Sequence, residues 1–154
     1  MLRSFLFYIS KAFSLIIILF LFINSTTNIR ADVLYSPDSI NKLLSQSSDS
    51  SRLELLIKSA NNYNSSNANL SIEYAKIAIN LAEKLNKPHI KILAEVIIAK
   101  AFFYTGDYTK SIESLKESET QTLSIKDSSN LIEIYQTFSL VYAKIGDFKK
   151  ALEY

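Results

Sequence analysis

The chain has 154 residues, which is room for about one domain, and 48% of them are hydrophobic, so a buried core is possible. Cysteine is absent, which excludes disulfides, thiolate zinc sites and a thiol nucleophile. The formal charge is +2, but residues 1–31 hold three basic side chains and no acid. The remaining 14 basic and 15 acidic side chains nearly cancel, so the charge of the rest of the chain does not indicate nucleic-acid binding.

Residues 1–31 have the three parts of a secretory signal peptide. Arg3 and Lys11 are basic, residues 12–23 form an apolar run, and residues 24–31 are polar and end in the small Ala31. Twelve residues of helix span about 18 Å, short of the ~30 Å hydrocarbon core of a membrane. The pattern predicts an exported, periplasmic or otherwise extracytoplasmic protein. An uncleaved N-terminal membrane anchor is the alternative, and it would place the rest of the chain on the same side.

Residues 32–51 are predicted to form a lead-in helix followed by a polar linker. Ser36 can cap this helix, Pro37 suits its first turn, and Asp38 favours the positive end of the helix dipole. One face of the helix would be apolar, formed by Ile40, Leu43 and Leu44. Residues 45–51 contain only serine, glutamine and aspartate, which is typical of a solvated linker and of the cap of the next helix.

From Arg52 onward the apolar residues recur at helical spacing, so the sequence predicts an all-α fold. The helices fall into three pairs, predicted at residues 53–63 and 70–85, 90–104 and 108–125, and 131–145 and 148–154. A helix pair cannot bury its apolar faces alone, but stacked pairs bury them together. The predicted architecture is therefore an α-solenoid.

A short phrase that occurs twice, 40 residues apart, sets the register of these pairs. Its two copies are Gly106-Asp107-Tyr108 and Gly146-Asp147-Phe148, and they contain the only two glycines of the chain. Glycine can take the left-handed conformation that ends a helix, the aspartate can cap the next helix, and the aromatic residue can pack on the preceding pair. In the first pair the turn is degenerate, because Ser66-Asn67-Ala68 replaces the Gly-Asp-aromatic triplet. Asn67 is expected to be a suitable substitute, since asparagine tolerates the left-handed conformation. The register predicts an array of about three repeats, at residues 52–89, 90–129 and an incomplete 130–154.

These residues resemble the tetratricopeptide-repeat (TPR) family, in which small residues lie where the helices of a hairpin touch. The second repeat matches through Ile98, Ala99, Phe102 and Ser111, and the third through Phe138, Ser139, Tyr142 and Ala151. The first repeat matches only in its second helix, through Ala75, Ala78 and Ala82. Glu95 stands at the family's tryptophan position, which predicts a looser local contact. The period of 40 residues rather than 34 would lengthen the second helix of each repeat.

The longer repeat is similar to the extracytoplasmic TPR sensor regions of bacterial signalling proteins, whose output is often a histidine kinase and less often a diguanylate cyclase or a DNA-binding domain. The resemblance implies a fragment of a right-handed superhelix that binds a protein or peptide, or a second copy of itself. We expect the N-terminal sensory region of a longer membrane-bound protein, or a truncated reading frame, because residue 154 falls early in a second helix. The alternative is a free periplasmic adaptor or scaffold for envelope assembly or secretion.

No residue pattern indicates catalysis, a metal ion or a cofactor. His89 is the only histidine, and a metal site needs several ligands. We expect residues 1–154 to have no enzyme activity, no cofactor and no nucleic-acid partner, with any catalytic output beyond residue 154. The predicted binding groove is lined by the first helices of the repeats. Its candidate residues are polar positions on those three helices, namely Asn61, Lys100 and Lys144.

Overall fold

The computed structural model of the chain describes residues 36–154, so the predicted signal peptide lies outside the described residues. The chain divides into two compact units, residues 1–42 and 43–154. The described part of the first unit is the start of helix α1 (Pro37–Gln46). There the Oγ of Ser36 accepts the backbone N–H of Ser39 and Asp38 lies in the first turn, as the sequence predicts. Of the predicted apolar face, Ile40 is buried and Leu43 is 41% exposed.

Six helices follow in the second unit, and residues 36–154 contain no strand. They are α2 (Asp49–Tyr63), α3 (Ala68–Lys84), α4 (Pro88–Thr105), α5 (Tyr108–Ile125), α6 (Ser128–Ile145) and α7 (Phe148–Glu153). Each odd-numbered helix from α3 onward packs against the helix before it, which forms three hairpins. The first helices of neighbouring hairpins also contact each other, α2 with α4 and α4 with α6. The all-α solenoid predicted from the periodicity is confirmed.

Helix α2 begins at Asp49, three residues before the start predicted for the array. The Oγ of Ser48 accepts the backbone N–H of Ser51 at 3.5 Å, so the cap expected within residues 45–51 is Ser48, and the helix begins inside the segment that was also interpreted as a linker. The guanidinium of Arg52 donates to the carbonyls of Leu44 and Ser47 at 2.9 and 3.0 Å. These bonds satisfy carbonyls at the end of the preceding helix and fix the corner between the two helices.

The two glycine turns have the predicted conformation. Gly106 and Gly146 have φ of +82° and +87°, and each ends the first helix of a hairpin. The carboxylates of Asp107 and Asp147 then accept the backbone N–H groups of Lys110 and Lys150, both at 3.2 Å. Hydrogen bonds from the Lys110 side chain and backbone hold the pKa of Asp107 below its usual range.

Two details of the turn predictions are wrong. Asn67 has φ of −152°, so it does not adopt the left-handed conformation expected for it. Its side-chain oxygen accepts the N–H of Leu70 and caps α3, as the aspartates at the same register position cap their helices. Tyr108 packs on the core, but its counterpart Phe148 is 68% exposed. The aromatic residue of the phrase is therefore a packing residue in only one of its two copies.

The core lies where α4, α5 and α6 meet. Its buried residues are Ile92, Val96, Ala99, Leu115, Ile134, Phe138, Val141 and Tyr142. The small residues at the positions where helices touch are buried as well, including Ala78, Ala99 and Ser111. The buried hydroxyl of Ser71 donates to the carbonyl of Ala60 at 2.7 Å, which ties α3 to α2. Small side chains allow the backbones to approach closely enough for such a bond.

The turn geometry predicts opposite effects for substitutions at Gly106 and Lys126. Gly106→Val should lower the free energy of unfolding by about 1–2 kcal/mol, because a β-branched residue resists a positive φ. No atom lies within 4 Å of the added Cβ, so the backbone conformation and not a steric clash accounts for this cost. Lys126 ends α5 with φ of +55°, so Lys126→Gly should stabilise by about 0.5 kcal/mol. Urea unfolding of both variants measures these changes. Equal stability of the two variants would contradict the account of these turns.

Candidate functional site

The first helices α2, α4 and α6 form one layer of the solenoid, and polar contacts hold α4 and α6 together. The side-chain amide of Asn130, which is buried, donates to the carbonyl of His89 at 2.8 Å and to the capping carboxylate of Asp127 at 2.8 Å. Further along the same pair of helices, Lys100 forms an ion pair with Glu133. These contacts fix the spacing of the two helices, so the surface that the layer presents is preorganised.

An apolar slot of about 370 Å³ lies between α2 and the start of α4. Leu53 is buried at its base, and Ile57 and Ile90 are half-buried along it. Glu54 and Lys87 add one charge of each sign to the lining. The slot can take an apolar side chain of a partner while the two charged residues contact its polar groups.

A second apolar surface lies on the third repeat, where α6 lines a cavity of about 580 Å³. The lining residues are Ile132, Tyr135, Gln136, Ser139, Leu140 and Tyr154. Forty residues earlier, Ile92, Val96 and Ala99 are buried, because α6 covers that face of the second repeat. The corresponding face of the third repeat is uncovered, and Ile132 and Leu140 are 60% and 57% exposed.

A comparison of the chain with known protein families gave a match that covers all three of these hairpins. The family described as the SusR N-terminal TPR domain matches residues 38–154. The chain belongs to this TPR family. The match covers about three quarters of the chain and confirms the TPR resemblance inferred from the repeated phrase. Comparisons with curated proteins and with solved structures gave no match.

Membership in the TPR family indicates a protein-interaction module, because TPR domains generally mediate contacts between proteins. In this TPR domain the three predicted groove residues do not come together in one site. Asn61 is exposed on α2, Lys144 is exposed in the last turn of α6, and Lys100 is held by Glu133. None of them lines the slot or the cavity of the third repeat.

The residues that the sequence analysis missed are apolar. Ile57 and Ile90 line the slot of the TPR domain, and Ile132 and Leu140 form the open face of its third repeat. The sequence did contain an indication for one of them, because Leu140 occupies the position of the third repeat that Lys100 occupies in the second. An apolar residue that replaces a polar one at a surface position of a repeat is a sign of a contact surface.

Residues 36–154 contain no group of three or more His, Cys, Asp or Glu residues placed to hold a metal ion. Within the same residues, no helix has the length and hydropathy of a membrane-spanning segment.

Glu95, at the family's tryptophan position on α4, is a half-buried carboxyl whose pKa the fold raises. Its side chain is only 21% exposed, and its Oε1 lies 3.8 Å from the Nζ of Lys91, which itself lies 2.9 Å from Glu83. Burial raises the pKa of Glu95, and Lys91 offsets part of that increase. The nearby Glu117 carboxylate raises the pKa further.

Glu95→Gln should therefore stabilise the TPR domain at neutral pH. A carboxyl whose pKa is raised by folding costs stability above the raised pKa, and this cost disappears below the ordinary value of 4.5. The gain in thermal stability should be present at pH 7 and should vanish near pH 4. Glu113→Gln, on an exposed residue of α5, is the matched control and should change stability at neither pH. A destabilised Glu95→Gln variant at pH 7 would contradict the prediction.

Proposed function

We propose that the chain is a non-enzymatic protein- or peptide-binding TPR module that forms the extracytoplasmic input region of a longer, membrane-bound signal-transduction protein. The observation that carries the proposal is the family match, which begins at residue 38, soon after the predicted signal peptide. The matching family is described as an N-terminal domain. An interaction module placed directly behind an export signal is suited to bind a partner outside the cytoplasm.

The slot between α2 and α4 supports the binding half of the proposal. Its base is apolar and prebuilt, and one charge of each sign contributes to its lining. The occupant that we propose is an extended peptide segment with one large apolar side chain, because the slot is narrow enough for a single side chain to fill and its base at Leu53 is apolar. Most of the affinity should come from that single side chain, as in other interfaces with a central hot spot.

Two matched substitutions test the slot as a binding site. Ile57 lies on a first helix and lines the slot, whereas Ile77 lies on the second helix α3 and is 42% exposed. A peptide selected by display against the full-length chain should bind Ile57→Ser at least about tenfold more weakly, a loss of ~1.4 kcal/mol. It should bind Ile77→Ser with unchanged affinity. Equal affinities for the two variants would remove the slot from the proposal.

A reporter fusion tests the export half of the proposal. Alkaline phosphatase fused after residue 154 is active only outside the cytoplasm, so the fusion should be active in a bacterial host. Deletion of residues 1–31 should abolish that activity. A fusion that is inactive but stable would place the TPR domain in the cytoplasm and overturn the extracytoplasmic assignment.

The gene downstream of codon 154 distinguishes a signalling protein from an adaptor. Signalling requires an apolar span of about 20 residues, followed by an output domain. Further repeats that end without such a span would instead favour a free periplasmic adaptor.

A further inference from the structure

The cavity of the third repeat is lined by side chains that carry no charge. They belong to Ile132, Tyr135, Gln136, Ser139, Leu140 and Tyr154. The lining of the slot between α2 and α4, by contrast, includes a carboxylate and an ammonium group. Ile132 and Leu140 are each more than half exposed. An uncharged surface with large exposed apolar side chains is typical of a contact surface between proteins.

Gln136 occupies a position that is apolar and fully buried in the first two repeats. The residues in the same register are Leu56 and Val96, and neither has exposed surface. A further first helix that packed on α6 in the same way would bury the amide of Gln136 at an apolar interface. Burial of an amide without a hydrogen-bond partner costs free energy, so the occupant of this face must supply both a donor and an acceptor.

Leu140 replaces a residue that joins the first helices of the second and third repeats. The residue in the same register is Lys100, whose ammonium group forms an ion pair with Glu133 of α6. A leucine cannot form such a pair with a following first helix, and it adds an apolar side chain in its place. The face of α6 is therefore suited to a different occupant from the one that covers the face of α4.

We propose that this face of α6 pairs with the same face of a second copy of the chain, in an antiparallel, two-fold arrangement centred on Gln136. Ile132 lies four residues before Gln136 and Leu140 lies four residues after it, all on one side of the helix. In the two-fold pair Ile132 of each copy therefore contacts Leu140 of the other.

The chemistry of the face suits a contact with itself. The two Gln136 amides meet at the two-fold axis, where each has a donor and an acceptor for the other. A two-fold axis also brings every group near it close to its own copy, so a charge there would be repelled. The lining of the cavity meets this condition, because none of its residues is charged.

The size of the face predicts a weak and reversible dimer. The 18 residues of α6 span about 27 Å, and a helix with its side chains is about 10 Å wide. The contact has a projected area of about 270 Å² per copy, which is smaller than the ~800 Å² per partner of a standard stable interface. We expect a dissociation constant of about 10–100 µM, so dilution should separate the two copies.

Analytical ultracentrifugation of the full-length chain tests the proposal with two matched variants. Leu140 and Leu123 are 57% and 54% exposed, but Leu123 lies on α5 and does not line the cavity. Between about 1 µM and about 500 µM the native chain should change from monomer to dimer. Leu140→Glu should stay monomeric, because the pair would bury two unpaired carboxylates. Leu123→Glu should dimerise like the native chain, and circular dichroism reports whether each variant is folded.

Disulfide crosslinking tests the register, because the chain has no cysteine of its own. With copper phenanthroline as the oxidant, Gln136→Cys should form a crosslinked dimer, whereas Glu113→Cys on an exposed site of α5 should not. A mixture of Ile132→Cys and Leu140→Cys should give a mixed dimer. Ile132→Cys alone should not crosslink, because its two thiols lie about 12 Å apart along the helices, beyond the ~7 Å between Cα atoms that a disulfide spans.

The proposal is overturned by any of three results. A chain that stays monomeric over the whole concentration range would leave the face of α6 to a further helix or to another protein. Association that persists in folded Leu140→Glu would place the contact elsewhere, for example in the apolar run of residues 12–23. Gln136→Cys that crosslinks no faster than Glu113→Cys would exclude the two-fold register, and this comparison decides the question if Leu140→Glu does not fold. The slot between α2 and α4 shares no lining residue with this face, so each result leaves the proposed peptide binding untouched.

Discussion

Phe138→Ala is expected to destabilise the fold by about 3–5 kcal/mol, the range for removal of a fully buried aromatic side chain. Phe138 has no exposed surface and packs in the core formed by α4, α5 and α6. Its ring stacks on Tyr154 at 4.5 Å and lies 6.1 Å from the ring of Tyr142. The free energy of unfolding of a domain is only about 5–15 kcal/mol, so this loss should lower the urea concentration at the unfolding midpoint substantially.

Phe148→Ala is the matched control for this substitution, because it removes the same atoms from a side chain that is 68% exposed. We expect its effect to stay within about 0.5 kcal/mol. If the two variants lost similar stability, the third repeat would not be packed as described. The comparison also tests the finding that the two aromatic positions of the repeated phrase differ in burial.

Ala99→Leu has the second-largest expected effect, a destabilisation of about 1–3 kcal/mol from overpacking. Ala99 is fully buried on α4, at a family position where a small residue lets neighbouring helices approach. Three additional carbon atoms must displace either α6 or the side chains of the core. Interiors are packed to crystal-like density, so the displacement is costly. Thermal unfolding of the variant measures the effect.

Ala143→Leu, on an exposed residue of α6, is the control for the overpacked variant. Leucine and alanine have similar helix propensities, so this change should be nearly neutral. An Ala99→Leu variant as stable as the native chain would show that the small residue is not needed for helix contact. The resemblance to the family at this position would then have no physical basis.

The helices and their pairing were predictable from the sequence because local chemistry specifies them. The two glycines must adopt a positive φ, and the aspartates after them have free N–H groups to accept, so these turns followed from residue type. The exact start of α2 was not predicted, because the sequence of residues 45–51 indicates a linker and a cap but does not show which serine accepts a backbone N–H. The structure identifies Ser48 as the cap and shows that Arg52 donates a hydrogen bond to the carbonyl of Leu44, in the helix before it.

The candidate binding surface was less predictable than the fold. Lys100 was chosen only as a polar position on a first helix. Its partner Glu133 lies 33 residues away in the chain, and the packing of α4 on α6 brings them together. Conversely, the repeat pattern predicts that an apolar residue on a first helix is buried in the core. Whether Ile132 is covered, as Ile92 is, depends on what packs beyond α6 and not on the residue itself.

The central claim is that the first helices carry the binding surface, and hydrogen exchange tests it most directly. The full-length chain should be measured free and bound to the display-selected peptide, with amide protection compared between α2 and α3. The account predicts slower exchange at residues around Ile57 and at the start of α4, with no change along the exposed side of α3 around Ile77. Protection confined to the second helices α3 and α5 would contradict it.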